Sequence, residues 1–288
     1  MIIKAYTPTT MLELFQTLQN LTPKCKIISG GTDLIIRLKQ GLCEADELLY
    51  LGSIPNIRDI VETVDGIEIG AMATMTDIAN NPLLSGPYAA LKHAAADVGA
   101  VQIRNSATVG GNLGNASPAG DLMPIWNLLG AEVIIAKPDG TFRREAVSNV
   151  FLGPNKIALK YNEAIIRFVI PKSRSSSAKS AFVKLGYRKA LTISRIGLAA
   201  MMDVDANGIV TQFELLAGAI SPTPIHVSEA EAYLIGKQAT KQEIKQVGQF
   251  LSDLIMEVTP EMFDRDYKAY AAFGVTEDLF EKLMDCKV

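Results

Sequence analysis

Two long apolar runs in the second half of the chain constrain its fold most strongly. Residues 193–204 and 209–220 are joined by the tetrapeptide Asp205-Ala206-Asn207-Gly208. The Asn-Gly pair supplies the positive φ angles that a tight hairpin needs. The two runs are therefore predicted to form neighbouring antiparallel strands.

The last third of the chain is predicted to be helical. Capping-box spacings occur at Ser228/Glu231 and at Thr240/Glu243, and apolar residues from 244 to 254 recur on one side of the second helix. An antiparallel sheet with helices packed on one of its faces is the simplest arrangement for this part.

The first half has a different pattern. Residues 10–20 combine a capping box with helical spacing, and residues 26–29 form a short β-prone run. Residues 34–38 fit either a helix or a strand.

A second unit is expected from about residue 62. The Ser-rich run at 172–179 is typical of a linker, and the domain boundary is predicted there.

Composition excludes several classes of function. The 288 residues include 28 basic and 31 acidic side chains, interspersed along the chain, so a nucleic-acid partner is not expected. The longest apolar stretch, 123–136, is too short to span a bilayer and contains Glu132. The N-terminus lacks the pattern of a secretory signal, and a cytoplasmic location is predicted.

Cysteine and histidine are too few for most metal chemistry. The three cysteines, Cys25, Cys43 and Cys286, form no C-x-x-C pair, so local spacing cannot build a zinc or iron–sulfur site. With only His93 and His226, a multi-histidine metal centre is excluded and a Ser-His-Asp triad is disfavoured. No metal ligands and no catalytic residues are predicted.

Two Gly-Gly pairs, Gly30-Gly31 and Gly110-Gly111, occur in matching contexts after β-prone segments. Glycines let consecutive backbone N–H groups approach an anion closely and form an anion-binding concavity, or nest. Two such nests could bind one diphosphate. The alternative is that each pair only makes a tight turn. The nucleotide fingerprints G-x-G-x-x-G and G-x-x-x-x-G-K-[ST] are absent, which disfavours a Rossmann or P-loop site.

Polar side chains near the glycine pairs would supplement the backbone donors. They are the hydroxyl and amide groups of Ser29, Thr32, Thr108 and Asn112. Asp33 and Asp121 suit ribose or amide contacts, because a carboxylate beside a diphosphate would repel it. An Asx-turn is an equal alternative for Asp33.

These motifs closely resemble the FAD-binding medium subunit of molybdenum hydroxylases, a family that includes xanthine, carbon monoxide and nicotinate dehydrogenases. The resemblance is carried by residues 28–34 (ISGGTDL), 70–74 (GAMAT), 102–113 (QIRNSATVGGNL) and 116–121 (ASPAGD). It continues through 151–154, 165–171, 182–190 and 217–224, and so spans nearly the whole chain.

The resemblance implies an α+β fold with an FAD-binding domain of the PCMH, or vanillyl-alcohol-oxidase, type. This domain would cover residues 1–175, with subdomains of about 1–60 and 61–175. An α+β domain like the C-terminal domain of carbon monoxide dehydrogenase flavoproteins, an antiparallel sheet with helices, would cover 176–288.

The resemblance also assigns cofactor-binding residues. The FAD pyrophosphate would be wrapped by Ile28, Ser29, Gly30, Gly31, Thr32, Asp33, Leu34, Thr108, Gly110, Gly111 and Asn112. Asp121 would contact the ribityl or ribose portion, while Leu159 and Lys184 would approach the flavin. Residues 188–195 match a loop near the isoalloxazine, with Ile193 as a candidate to cover one face of the ring.

Three departures limit these assignments. Neither His nor Cys stands inside the glycine motifs, so FAD is predicted to be bound non-covalently. The four-cysteine insertion of one branch, which reduces 4-hydroxybenzoyl-CoA, is absent. Residues 263–268 match the usual family pattern only loosely, which leaves the contacts made there open.

By this resemblance the chain is the electron-transfer subunit of a hetero-oligomeric enzyme. A molybdopterin large subunit would oxidise the organic substrate, and electrons would pass through a [2Fe-2S] small subunit and FAD to an acceptor such as NAD(P)⁺. Two alternatives stay open. One is an independent reductase of the UDP-N-acetylenolpyruvoylglucosamine reductase type, and the other is an assembly subunit without a redox-active flavin.

Overall fold

The computed structural model describes residues 2–172 and 177–285. Packing divides the chain into two compact units that are not continuous in sequence. The first contains residues up to 78, 100–117 and 130–172, and the second contains the remainder. Met1, Cys286 and the centre of the predicted linker, 173–176, lie outside the described residues. The division into domains at residue 175 and subdomains at residue 60 remains a prediction.

The described chain contains both strands and helices, each numbered in chain order. The strands are β1 (Lys4–Tyr6), β2 (Cys25–Ile28), β3 (Glu47–Tyr50), β4 (Ile60–Glu62), β5 (Gly66–Gly70), β6 (Glu132–Ala136), β7 (Phe142–Ala146), β8 (Phe151–Gly153), β9 (Lys156–Ile157), β10 (Ala164–Pro171), β11 (Lys179–Leu185), β12 (Ile196–Val204), β13 (Val210–Gly218) and β14 (Ile225–His226). The helices are α1 (Met11–Gln19), α2 (Leu34–Lys39), α3 (Met75–Asn80), α4 (Ala89–Asp97), α5 (Val101–Arg104), α6 (Val109–Asn115), α7 (Met123–Leu128), α8 (Val147–Val150), α9 (Ser228–Leu234), α10 (Lys241–Val258) and α11 (Arg265–Asp285).

The first unit begins with a parallel three-stranded sheet of order β1-β3-β2. Helices α1 and α2 supply the crossovers that parallel strands require. Thr10 caps α1 by accepting a hydrogen bond from Glu13 N–H (3.1 Å), which confirms the predicted helix. Residues 34–38, for which a helix and a strand were both open, are helical.

A second sheet in the same unit is antiparallel and has the order β4-β5-β10-β6-β7. Its central strand β10 is almost continuously apolar, and its neighbours β5 and β6 bury four and three of their five residues. The core of this unit includes Leu14, Leu18 and Leu49.

The second unit contains a four-stranded antiparallel sheet of order β11-β12-β13-β14. The predicted hairpin is confirmed as the β12–β13 pair. Asp205 Oδ1 accepts hydrogen bonds from the N–H groups of Asn207 (2.8 Å) and Ile209 (2.9 Å), and Gly208 has a φ of +76°. The local turn chemistry therefore defines this pairing.

Helices cover both faces of this sheet, and the prediction of helices on one face was wrong. Helices α9, α10 and α11 pack on the face that carries Ala181 and Val183. On the opposite face Ser180 Oγ accepts a hydrogen bond from Ala90 N–H of α4. There α7 contacts β12 and β13, and Gly218 lies against Pro124. Strand β12 is apolar at nearly every position, as expected of a strand that is buried on both sides.

Candidate functional site

The first glycine pair lies in the loop between β2 and α2. Gly31 has a φ of +67°, a conformation that favours glycine. Among the residues that the structure describes, the N–H groups of residues 30–33 have no hydrogen-bond acceptor. Consecutive unpaired N–H groups in a tight loop are the donor set of an anion-binding nest. This loop fits the predicted diphosphate contact.

The second glycine pair opens helix α6. Thr108 caps this helix by accepting a hydrogen bond from Gly111 N–H at 3.0 Å, and Gly110 N–H donates to Ala71 O at 2.9 Å. Both glycine N–H groups are therefore already engaged within the chain. A Cβ atom on Gly110 would lie 2.8 Å from Ala71 O, so this glycine permits close approach of two backbones rather than donation to an anion.

The two glycine loops meet within the first unit. Thr108 Oγ1 donates a hydrogen bond to Ser29 Oγ over 2.9 Å. A Cβ atom added to Gly30 would lie only 1.8 Å from Ser106 O, and one added to Gly111 would lie 2.7 Å from Ser29 Oγ. Segments about 80 residues apart in sequence are thus brought into contact at the glycines themselves.

The side chains beside this contact provide further groups for a polar ligand. Asn112 Oδ1 is buried and has no hydrogen-bond partner among the described residues. A buried amide oxygen without a partner is costly, and a ligand donor such as a ribose hydroxyl would satisfy it. Thr32 is half-buried in the same loop as the nest. The residues present therefore fit the diphosphate and hydroxyl groups of a dinucleotide such as FAD.

Three further predicted residues flank the first loop. Ile28 ends β2 and pairs with Tyr50, while Leu34 is the first residue of α2. Asp33 makes no side-chain capping hydrogen bond, so the Asx-turn alternative is not observed. Its carboxylate lies 3.9 Å from the Arg37 guanidinium, which offsets its charge next to the nest.

Leu159, another predicted site residue, lies half-buried in a loop that is held from both sides. Arg143 of β7 donates hydrogen bonds to Ala158 O (2.7 Å) and to Glu163 Oε2 (3.0 Å). Glu163 also accepts from Lys160 N–H over 3.1 Å. These contacts fix the backbone on each side of Leu159. The two contacts of Arg143 join residues 15 and 20 positions apart and were not anticipated from the sequence.

The Arg143–Glu163 pair leads to a stability prediction. The Glu163 side chain is nearly buried. Burial alone would raise its pKa, but hydrogen bonds from Arg143 and Lys160 N–H hold that pKa below its usual value of 4.5. Arg143→Met leaves this carboxylate buried without its cation, and we expect the free energy of unfolding to fall by about 3 kcal/mol near neutral pH.

Urea unfolding over a range of pH checks this prediction. A depressed folded-state pKa stabilises the protein above the unfolded pKa, and this stabilisation is lost as the pH falls through the folded pKa. The deficit of Arg143→Met should therefore shrink as the pH is lowered. Arg144→Met removes only the exposed pair with Glu132 and should cost at most about 1 kcal/mol. Equal losses in the two variants would contradict the assignment.

The remaining predicted residues, Asp121 and Lys184, meet in the second unit. Lys184 Nζ, on β11, lies 2.7 Å from Asp121 Oδ2 and 2.8 Å from Asp97 O, and both side chains are about 7% exposed. Ser194 Oγ donates to Asp121 Oδ1 over 2.5 Å. Burial raises the pKa of Asp121, although Lys184 and Ser194 oppose this rise. The pair is a buried, fully hydrogen-bonded charge centre.

Ser194, Arg143 and Glu163 were missed because they act through partners far away in sequence. Ser194 lies within the predicted loop 188–195 and Glu163 lies four residues after Leu159, whereas no predicted segment adjoins Arg143. Ile193, the candidate to cover the flavin, is highly exposed. In the described ranges, no group of three or more His, Cys, Asp or Glu could hold a metal ion. No helix found there is long and apolar enough to cross a membrane.

Comparison with known proteins connects these features to one family. The profile described as "FAD binding domain in molybdopterin dehydrogenase" matches residues 1–173, and "CO dehydrogenase flavoprotein C-terminal domain" matches residues 181–282. The nicotinate dehydrogenase FAD-subunit of Eubacterium barkeri is 33% identical over 90% of this chain and 88% of the relative. The xanthine dehydrogenase FAD-binding subunit of Escherichia coli O157:H7 is 31% identical over 73% of this chain and 71% of the relative.

Solved structures show the same fold. A chain of carbon monoxide dehydrogenase from Hydrogenophaga pseudoflava superposes with a TM-score of 0.87 at 24% identity, covering 100% of this chain and 99% of that one. A chain of quinoline 2-oxidoreductase from Pseudomonas putida 86 superposes with a TM-score of 0.88 at 20% identity. The match covers 98% of this chain and 96% of that one. The predicted α+β architecture is confirmed. The chain therefore belongs to the family of FAD-binding medium subunits of molybdenum hydroxylases, and it is an oxidoreductase flavoprotein whose cofactor is FAD.

Proposed function

We propose that this chain is the electron-transfer subunit of a multi-subunit molybdenum hydroxylase, which receives electrons from a [2Fe-2S] small subunit and passes them to an acceptor such as NAD(P)⁺. The observation that carries the proposal is the first glycine loop, which has unpaired N–H groups and contacts the second glycine motif at Gly30. Bound FAD supplies the redox chemistry, and the chain supplies binding, orientation and electrostatics.

Several of the predicted residues have a task in this proposal. The N–H groups of residues 30–33 hold the diphosphate, and Asn112 Oδ1 accepts a hydrogen bond from a ligand hydroxyl. Ser29 and Thr108 fix the distance between the two loops through their mutual hydrogen bond. Asp121 and Lys184 contribute a dipole of fixed direction, because both side chains are already positioned by hydrogen bonds.

Binding of FAD without a covalent bond follows from the groups in the loops. Their side chains are hydroxyls, amides and apolar groups, without the His or Cys that a covalent link would use. Acid precipitation should therefore release the flavin into the supernatant. Flavin that stays with the precipitated protein would contradict this part of the proposal.

Partner subunits are proposed from the relatives. The matching profile is described as a domain of molybdopterin dehydrogenases, and one solved structure of the same fold is described as a Cu,Mo carbon monoxide dehydrogenase. By analogy, the organic substrate is oxidised on a molybdopterin large subunit, and specificity resides there. A cytoplasmic location belongs to the same proposal.

The test is the composition and reactivity of the complex isolated from its native cells through a tag on this chain. The proposal predicts molybdenum, iron and FAD in fixed ratio, and flavin absorption that returns when the reduced complex meets NAD⁺ or NADP⁺. A lone FAD-containing chain that oxidises NAD(P)H with its own substrate would favour the independent reductase. A chain without flavin would favour the assembly subunit.

A further inference from the structure

The segment between β11 and β12, residues 186–195, is exposed along most of its length yet is hydrogen-bonded within itself. Tyr187 N–H donates to Thr192 Oγ1 over 3.0 Å. The Arg188 guanidinium donates to Leu191 O through both Nε and Nη2. The segment is therefore a compact loop with a defined shape, and its orientation depends on its attachment to the rest of the second unit.

Arg195 provides that attachment. Its side chain is 14% exposed, and its Nε and Nη2 donate to Asp264 Oδ2 over 2.9 and 2.6 Å. The guanidinium carbon also lies 4.5 Å from the ring centroids of Tyr187 and Tyr267. A planar guanidinium suits this combination, because it donates in its plane while its faces contact aromatic rings.

Asp264 is fixed from a second side. It immediately precedes α11, and Lys268 Nζ lies 3.8 Å from its carboxylate. Lys268 is buried and donates to Ala219 O over 3.2 Å, at a residue whose φ of +62° is unusual for a side chain with Cβ. We call Arg195, Asp264, Lys268, Tyr187 and Tyr267 the Arg195 clamp. It connects the loop, the end of β13 and the start of α11.

The clamp is adjacent to the buried pair of Asp121 and Lys184. Ser194, the residue before Arg195, donates to Asp121, and Thr192 O accepts a hydrogen bond from Lys184 Nζ over 3.4 Å. The same stretch of backbone therefore carries the clamp and two of the contacts that hold the pair. Displacement of residues 192–195 would remove both contacts together.

We propose that Arg195 is a positioning residue, which holds the loop 186–195 against α11 so that Thr192 and Ser194 can orient Lys184 and Asp121. The inference rests on the proposed role of this pair toward FAD. It also gives residues 263–268, whose contacts could not be assigned from the sequence, a part in holding this pair.

Arg195→Met, Arg195→Lys and Tyr187→Leu test this role in the full chain. Trypsin cleavage after Arg188 and Lys189 in the FAD-free protein measures opening of the loop, and we expect it to be about tenfold faster in Arg195→Met. FAD should bind about tenfold more weakly, with a shifted visible spectrum. Arg195→Lys keeps the charge but loses the planar contacts, so it should rescue only part of each effect.

Tyr270→Leu is the matched control. Tyr270 lies on α11, as Tyr267 of the clamp does, but its side chain is 81% exposed. It should behave as wild type in every assay. Tyr187→Leu keeps the ion pair between Arg195 and Asp264 and should give smaller changes in the same direction. This variant tests the role even if Arg195→Met does not fold. Faster cleavage with unchanged FAD affinity and spectrum would overturn the positioning role alone. Wild-type protein that binds no FAD would overturn the proposed function as well.

Discussion

Gly30→Ala should abolish stable retention of FAD. The added Cβ would lie 1.8 Å from Ser106 O. Because Cβ is fixed to the backbone and Ser106 O is a backbone atom, neither can turn aside and the two glycine loops must separate. Overpacking of this kind costs about 1–3 kcal/mol of stability. Loss of two hydrogen bonds from the nest to a charged diphosphate adds about 3 kcal/mol to the free energy of binding, or about a 100-fold weaker affinity. Titration of the FAD-free protein with FAD measures this loss.

Gly114→Ala is the matched control for this variant. Gly114 lies in helix α6, three residues after the second glycine pair, and a Cβ there would meet no atom within 4 Å. Its affinity for FAD should match that of wild type, with stability unchanged or raised by up to about 1 kcal/mol. If Gly30→Ala bound FAD as tightly as Gly114→Ala, the contact between the two loops would have no role in binding.

Gly111→Val tests the second loop in the same assay. A side chain at this position would displace Ser29 Oγ and the capping hydroxyl of Thr108, which lie 2.7 and 3.0 Å from the added Cβ. We expect flavin retention to be lost while the second unit stays folded. Unchanged affinity for FAD would contradict the role of this motif.

Lys184→Met should be the most destabilising of the single substitutions in the second unit. It leaves the Asp121 carboxylate buried without a cation, and breaking a buried pair in this way costs about 3–5 kcal/mol. FAD should also be bound more weakly, or with a shifted potential, because the pair loses its orientation. Urea unfolding measures the first effect, and redox titration of the FAD-loaded protein measures the second.

The pH dependence identifies the cause of this loss. Burial raises the pKa of Asp121 in the folded state above its unfolded value of 3.8. The contribution of Asp121 to stability therefore falls as the pH rises from 3.8 through the folded pKa. Removal of Lys184 raises the folded pKa further and extends that fall to higher pH. The deficit of Lys184→Met should therefore be smaller at about pH 5 than at about pH 8. Equal deficits would show that packing, and not charge, causes the loss.

Local chemistry made part of the fold predictable. Asp205 and Gly208 define the β12–β13 hairpin within four residues, and Thr10 with Glu13 defines the start of α1. The ambiguity at residues 34–38 arose because a short apolar run suits a helix and a strand equally well. The error about the sheet face had a visible signal, since β12 is apolar at nearly every position rather than at alternate ones.

The candidate site was predictable only where its groups belong to local motifs. The first glycine loop could be recognised because its own backbone supplies the donors. The second glycine pair illustrates the limit, because the partner that engages Gly110 N–H is Ala71 O, about 40 residues earlier. Arg195 and Asp264 are farther apart still, and no periodicity connects them. Such pairs depend on tertiary packing, which a single sequence does not display.

The most direct test of the central claim is the visible absorption spectrum of the gently purified chain, followed by identification by mass of the chromophore released on protein precipitation. We expect a yellow protein that releases intact FAD, and a Gly30→Ala variant that is colourless and regains little colour with added FAD. A colourless wild-type protein that also fails to bind added FAD would contradict the assignment of FAD to this chain.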